Sequence, residues 1–257
     1  MEHPTGVGNR LLAALPPADF GLLAPYLRKV PLERDAVLIR SGDPIEQIYF
    51  PESGTIAFIA EMPNGQTVAT AVIGNDGAVG VLTALGPSPA PMTAVVRVAG
   101  TSLRISRARF HAALSRSGAV RHAVQVYTRA LLAQLLQVAA CNALHSVEAR
   151  MARWLLHIHD SADGDVLPLT QETLSELLGV RRTTVTHVVH KLRSARAIRS
   201  NRRGLIEVDR PQLEAAACEC YEIIRGRIDS ILSPEEMKPH AAPAAKSLRD
   251  RDPLLAK

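Results

Sequence analysis

Residues 169–192 read LTQETLSELLGVRRTTVTHVVHKL, and their pattern decides the C-terminal half of the chain. Thr170 stands before Gln171-Glu172-Thr173 and offers a hydroxyl to the free amides of a first helical turn. Leu174, Leu177 and Leu178 fall on one face of the helix that follows, with small Ser175 where a second helix can cross closely. Gly179 ends that helix, because glycine takes the left-handed backbone cheaply, and Val180 plugs the corner. A second helix starts near Arg182 and turns Val185, Val188, Val189 and Leu192 inward. Arg182, Thr183, Thr186 and His187 are left outward on its N-terminal half, where polar side chains can reach base edges in a groove. Ile198-Arg199, then SNRRG at 200–204, then Leu205–Val208 read as a two-stranded wing with a basic tip.

Charge is concentrated on the same stretch. Arg181, Arg182, Lys191, Arg193, Arg196, Arg199, Arg202 and Arg203 follow one another with no Asp or Glu between them. A charge run is usually a solvated face. One without counter-charge, laid over a helix–turn–helix and wing, points to phosphate contacts, which need uncompensated Lys and Arg. The whole chain of 257 residues carries only a mild excess, +5, so the clustering matters more than the total.

Upstream the texture differs. Residues 30–105 hold short apolar runs separated by turns: Val37–Arg40, Ile48–Phe50, Thr55–Ala60, Thr67–Ile73, Thr93–Val98 and Ser102–Ile105. Pro63-Asn64-Gly65 marks a hairpin, with Asn-Gly expected in a type I′ turn. Many short strands with frequent turns read as an antiparallel sandwich, barrel or jelly roll. From Arg107 the pattern becomes helical, and Val120, Val124, Tyr127, Leu131, Leu135 and Val138 recur every three or four residues. A stripe that long is expected to form a seam with a second copy, the bland alternative being an ordinary core face. Another amphipathic helix starts at Ser146-Val147-Glu148. The segment after Ser233 is rich in Pro, Ala and alternating charge and is expected to be flexible.

Taken in this order, the chain resembles the Crp/Fnr family of bacterial transcription regulators across about residues 20–215. The most specific segment is 169–192, with Ala197-Ile198 and Gly204-Leu205-Ile206 in place; the Gly42-Asp43 turn and IYFPESGTI at 48–56 match the early strands. The resemblance implies an α+β fold: an N-terminal antiparallel β jelly roll, a long dimerisation helix and a C-terminal winged helix–turn–helix. The expected divisions are a cyclic-nucleotide-binding-like sensor at 1–117, the dimerisation helix at 118–145, the DNA-binding domain at 146–232 and a tail at 233–257. Family base-reading positions fall here on Arg182, Thr183 and His187, while Thr170, Arg181, Thr184, Asn201 and Arg202 would contact phosphate or position the helix. Where the family often has Glu and Arg, this chain has Thr183 and His187, so its operator need not be the familiar one.

The sensor half departs further from that resemblance. Cyclic AMP-binding members present a Gly-Glu pair for the ribose and an Arg-Ser pair for the cyclic phosphate. The corresponding stretches are Gly80-Val81 and Met92-Thr93, which lack both the acid and the cation and mark the candidate effector pocket. The oxygen-sensing branch holds an iron–sulfur cluster on several cysteines near the N-terminus, whereas the first cysteine here is Cys141. No cofactor or metal is expected. Cys218 and Cys220, two apart on an expected helix, would point in different directions and stay idle.

The expected partners are double-stranded DNA and a second copy, with RNA polymerase and an unidentified small-molecule effector as candidates. The N-terminus lacks a signal peptide and the longest apolar stretch is too short for a bilayer, so a cytoplasmic protein with no membrane partner is expected. A metal-dependent barrel enzyme is disfavoured because no His lies between His3 and His111. A signalling module that acts through protein contacts is the remaining alternative, disfavoured by the basic run.

Overall fold

A computed structural model of the chain describes residues 6–162, 164–200, 204–233 and 235–237. Two short helices, α1 (Arg10–Ala13) and α2 (Pro17–Phe20), precede seven strands: β1 (Arg28–Leu32), β2 (Val37–Ile39), β3 (Gln47–Pro51), β4 (Thr55–Glu61), β5 (Thr67–Ile73), β6 (Thr93–Val98) and β7 (Gly100–Ser106). They form two antiparallel sheets, ordered β1-β7-β3 and β2-β6-β4-β5. Helices α3 (Arg107–Arg116), α4 (Gly118–Leu144) and α5 (Val147–His159) follow. The winged unit adds β8 (Val166–Leu167), α6 (Gln171–Leu178), α7 (Arg182–Ser194), β9 (Ile198–Ser200) and β10 (Ile206–Val208), then α8 (Arg210–Ala216) and α9 (Cys220–Ile231). Its small sheet has the order β8-β10-β9.

Strand alternation explains why the two halves are one packed body. Successive side chains of a strand face opposite sides. On β4, Ile56 and Phe58 enter the core between the sheets, while Ala57 and Ile59 face outward into a second core. On β6, Ala94 and Val96 point in and Val95 points out, and an irregularity in the pairing with β4 before Val98 breaks the alternation and sends Val98 outward as well. The outer face of the four-stranded sheet is therefore apolar, and Trp154, Leu155, Leu174 and Leu178 from α5 and α6 share its core. A sheet covered on both sides needs apolar residues at both parities, which is why these strands read as near-continuous apolar runs.

The Pro63-Asn64-Gly65 turn is not type I′. Met62 carbonyl accepts from the Gly65 amide at 2.9 Å, Gly65 has φ 80, and Asn64 is not at positive φ. Pro63 fixes its own φ near −65°, which suits the second position of a type I turn, and the left-handed residue that closes the three-residue loop is the glycine.

The long helix carries the main correction. Ser117 breaks the helical run, and its hydroxyl accepts from the Val120 amide at 2.9 Å to start α4. Val120, Val124, Tyr127, Leu131 and Val138 are buried within the single chain, with Leu135 half-buried. Tyr127 donates to the Ala78 carbonyl at 2.8 Å, and Gln134 donates to the Val72 carbonyl at 3.3 Å. The expected seam is thus the face α4 turns to its own jelly roll and outer core. The opposite face holds Leu132, Leu136 and Leu144, which are exposed.

Two further expectations change. Within the segment expected to be flexible, Met237 is buried and Glu236 meets Arg129 at 2.9 Å; the rest of the expected tail, with Pro234, lies outside the described residues. Cys218 and Cys220 do not share a helix, because α8 ends at Ala216 and the chain turns before α9 begins. Among the described residues no helix is long and apolar enough to cross a membrane.

Candidate nucleic-acid interface

Local chemistry builds the helix–turn–helix. The Thr170 hydroxyl accepts from the Thr173 amide at 3.1 Å and caps α6. Gly179 closes α6 at φ 64, a conformation that strains any residue with a Cβ, and a Cβ there would also stand 3.2 Å from Val68. The Ser175 hydroxyl donates to the Val180 carbonyl at 2.6 Å, fixing the corner from which α7 departs. Val185, Val188, Val189 and Leu192 seal the inner face of α7.

The outer face has the polarity expected. Thr170, Arg181, Arg182, Thr183, Thr186 and His187 are exposed and Thr184 is half-buried. Apart from Thr170, which caps α6, these residues lie on the N-terminal half of α7, whose free backbone amides and helix dipole also favour phosphate. Asn201 and Arg202 lie outside the described residues. The sequence run had no internal acid, but folding brings some near. Glu172 comes within 4.0 Å of Arg182, both well exposed, and Glu148 reaches Lys191 at 3.3 Å. Exposed pairs of this kind are worth little, roughly 0–1 kcal/mol, and exchange readily for a phosphate partner. The Thr186 hydroxyl donates to the Gln171 side chain at 3.0 Å, tying the two helices across the turn.

The interface is held in place by two arginines that sequence reasoning missed, one from the sensor half and one from α5. Arg97, on β6, is buried and reaches Glu176 of α6 at 2.7 Å and Asp35 at 3.4 Å. Arg150 of α5 donates to the Leu178 carbonyl at 2.7 Å, satisfying the C-terminal end of α6. Neither arginine carries a local signal, since each depends on a partner far along the chain.

The four candidate effector residues do not share one cavity. Gly80 and Met92 line an apolar space of about 30 Å³, closed on one side by Leu131 of α4. Val81 faces a different space, beside Phe110 and Val124. Thr93 donates its hydroxyl to Glu61 and accepts from the Ser41 amide at 3.1 Å.

Two family models match the chain in succession. Residues 29–117 match a cyclic nucleotide-binding domain and residues 149–216 a Crp-like helix-turn-helix domain, together more than half of the chain. No curated protein matches it. Among solved structures, FixK2 from Bradyrhizobium japonicum is 16% identical with a TM-score of 0.63, covering 75% of this chain and 98% of its own. A transcriptional regulator of the crp/fnr family from Eubacterium rectale is 15% identical with a TM-score of 0.63, covering 79% and 94%. CLP from Xanthomonas campestris, described as a c-di-GMP-responsive global regulator, is 20% identical with a TM-score of 0.59, covering 74% and 98%. These likenesses are of fold, and two of the three matched structures are named as regulators. With both domain models in the family's order on a chain of this fold, the protein belongs to the Crp/Fnr family and is a DNA-binding transcription regulator.

Proposed function

We propose that the protein binds a roughly palindromic duplex as a homodimer, with α7 of each copy entering the major groove. The carrying observation is the division of α7: Arg182, Thr183, Thr186 and His187 exposed at its N-terminal half, the valines and Leu192 sealed behind them. Arg182 is assigned a bidentate guanine contact, and Thr183 and His187 the neighbouring base edges. Thr170, Arg181, Thr184, Asn201 and Arg202 are assigned phosphate or positioning contacts. The two copies pair through the outer face of α4, where Leu132, Leu136, Ala139 and Ala143 are exposed at helical spacing. Two recognition helices about 34 Å apart would then meet successive major grooves on one side of the duplex.

The effector reading follows from the cavity at Gly80 and Met92. Every residue lining it is uncharged, so a cyclic phosphate there would meet no compensating cation. Its volume is about that of one water molecule. A larger ligand needs the wall formed by Leu131 to move, which would pass its binding on to α4. The DNA reading is tested by selecting bound sequences from random duplexes with the full chain and no added effector. An inverted repeat supports it. Binding that is salt-dependent but never sequence-selective, at every effector condition tried, overturns it.

A further inference from the structure

The break between α8 and α9 assembles a cluster that the DNA-reading function does not use. Cys141 lies in the last turn of α4 and His145, one turn on, caps that helix, so both project from the same side of its end. Cys218 and Cys220 flank the first residue before α9. One nitrogen of His145 and the three sulfurs all lie within 4.8 Å of one another. Cys141 Sγ is 3.5 Å from Cys218 Sγ, and His145 Nδ1 is 3.5 Å from Cys220 Sγ. A tetrahedron with zinc–sulfur bonds of about 2.3 Å has edges of about 3.8 Å, so these separations are those of four donors around one ion.

The surroundings suit a metal rather than idle thiols. His145 turns its other nitrogen, Nε2, to Glu219 Oε1 at 3.2 Å, the carboxylate partner that orients a ligating imidazole. Gln137 donates its amide to Cys220 Sγ at 3.2 Å, the kind of N–H···S contact that holds a ligating sulfur in place. Arg153 is wholly buried, its three guanidinium nitrogens lack oxygen or nitrogen partners, and its charge is felt at Cys141. A buried cation without a counter-charge is costly. Three thiolates and one neutral imidazole around a divalent ion carry a net charge of minus one, which Arg153 balances.

We propose that Cys141, His145, Cys218 and Cys220 form a tetrahedral zinc site that ties the end of the long helix to the α8–α9 turn. Three soft thiolates with an imidazole select zinc over hard cations, and four donors this close leave no room for a polynuclear cluster. All four positions are filled by protein, so the ion is structural. It spans the joint at His145–Ser146, where α4 hands over to α5, and sets the angle at which the DNA-binding unit leaves the helix.

Elemental analysis of the full chain, purified under reducing conditions, tests the assignment. About one zinc per chain is expected to survive gel filtration and to be released when the thiols are blocked. One equivalent of cobalt(II) added to the stripped protein should give thiolate-to-metal charge transfer and the strong visible bands of a tetrahedral site. Cys218→Ser and Cys220→Ser should each abolish both signals. Should those variants misfold, Glu219→Gln on the exposed side should lower zinc affinity by about 10–100-fold while leaving the ligands in place. Three results overturn the proposal: wild-type protein with neither zinc nor the cobalt spectrum, a Cys141–Cys218 disulfide in the freshly purified chain, or an iron–sulfide chromophore in place of zinc. None of these readouts depends on DNA binding.

Discussion

Arg97 Nη2 lies 2.7 Å from Glu176 Oε2, joining the central strand β6 of the jelly roll to the first helix of the helix–turn–helix. Arg97 is buried whereas Glu176 is partly exposed, so the two ends of the pair are not equivalent. Removing the acid leaves a buried cation with only Asp35 at 3.4 Å, and Asp35 is more than half exposed. Glu176→Gln should therefore cost about 1–3 kcal/mol in urea unfolding, the penalty of leaving a buried charge poorly paired. Asp35→Asn should cost under about 1 kcal/mol. Equal losses in the two variants would mean that Arg97 draws on both acids alike.

Arg182 and Arg181 are adjacent and exposed but are assigned different tasks. Arg182→Ala should cost about 1–3 kcal/mol of binding and relax preference at one base position. Arg181→Ala should weaken all sequences nearly equally and reduce the dependence of log affinity on log salt by about one. Affinities measured on a panel of single-base operator variants at several salt concentrations separate the two. A uniform loss for Arg182→Ala would mean that α7 docks in another orientation.

The two faces of α4 predict opposite outcomes for substitutions one residue apart. Leu131 is buried against the jelly roll beside the Gly80–Met92 cavity, so Leu131→Asp should destabilise the chain by about 3 kcal/mol or more, whatever its state of association. Leu132 is 55% exposed and Leu136 63%. Leu132→Asp or Leu136→Asp should leave the fold intact and split the dimer, because each puts a charge into an apolar seam. Sedimentation together with thermal melting distinguishes these results. A dimer that survives Leu136→Asp would move the interface off this helix.

These cases show which features were legible before folding. Thr170, Gly179 and the inner valines of the recognition helix act within a few residues, so the winged unit could be read from caps, a left-handed glycine and helical spacing. The jelly roll could be read because turns punctuate its strands. The inward face of α4 could not, since Leu131 and Leu132 are equally apolar and the choice is made by β5 and the loop at Ala78. The cysteine cluster was illegible for a related reason. It depends on a helix break after Ala216 and on a contact between residues 77 apart in sequence. The Asn64-Gly65 turn was misread because Pro63, immediately before it, imposes its own geometry.

His157 gives the pH dependence of the fold a sign. It is half-buried, with its Nε2 buried and unpaired, and burial together with the charges of Arg153 and Arg225 pushes its pKa down from 6.5 to about 3. The folded chain thus holds the imidazole neutral, while the unfolded chain takes up a proton below about pH 6.5. Stability contributed by the neutral ring is complete above that point and falls as the pH drops toward 3. Between about pH 7.5 and about pH 5.5 this one group should cost about 1.4 kcal/mol. His157→Leu, of similar bulk and without a titrating group, should remove that increment even if it shifts stability by a constant amount. Urea unfolding of both proteins at the two pH values measures it. Equal acid losses in the wild type and the variant would mean that His157 gains its proton without leaving the fold.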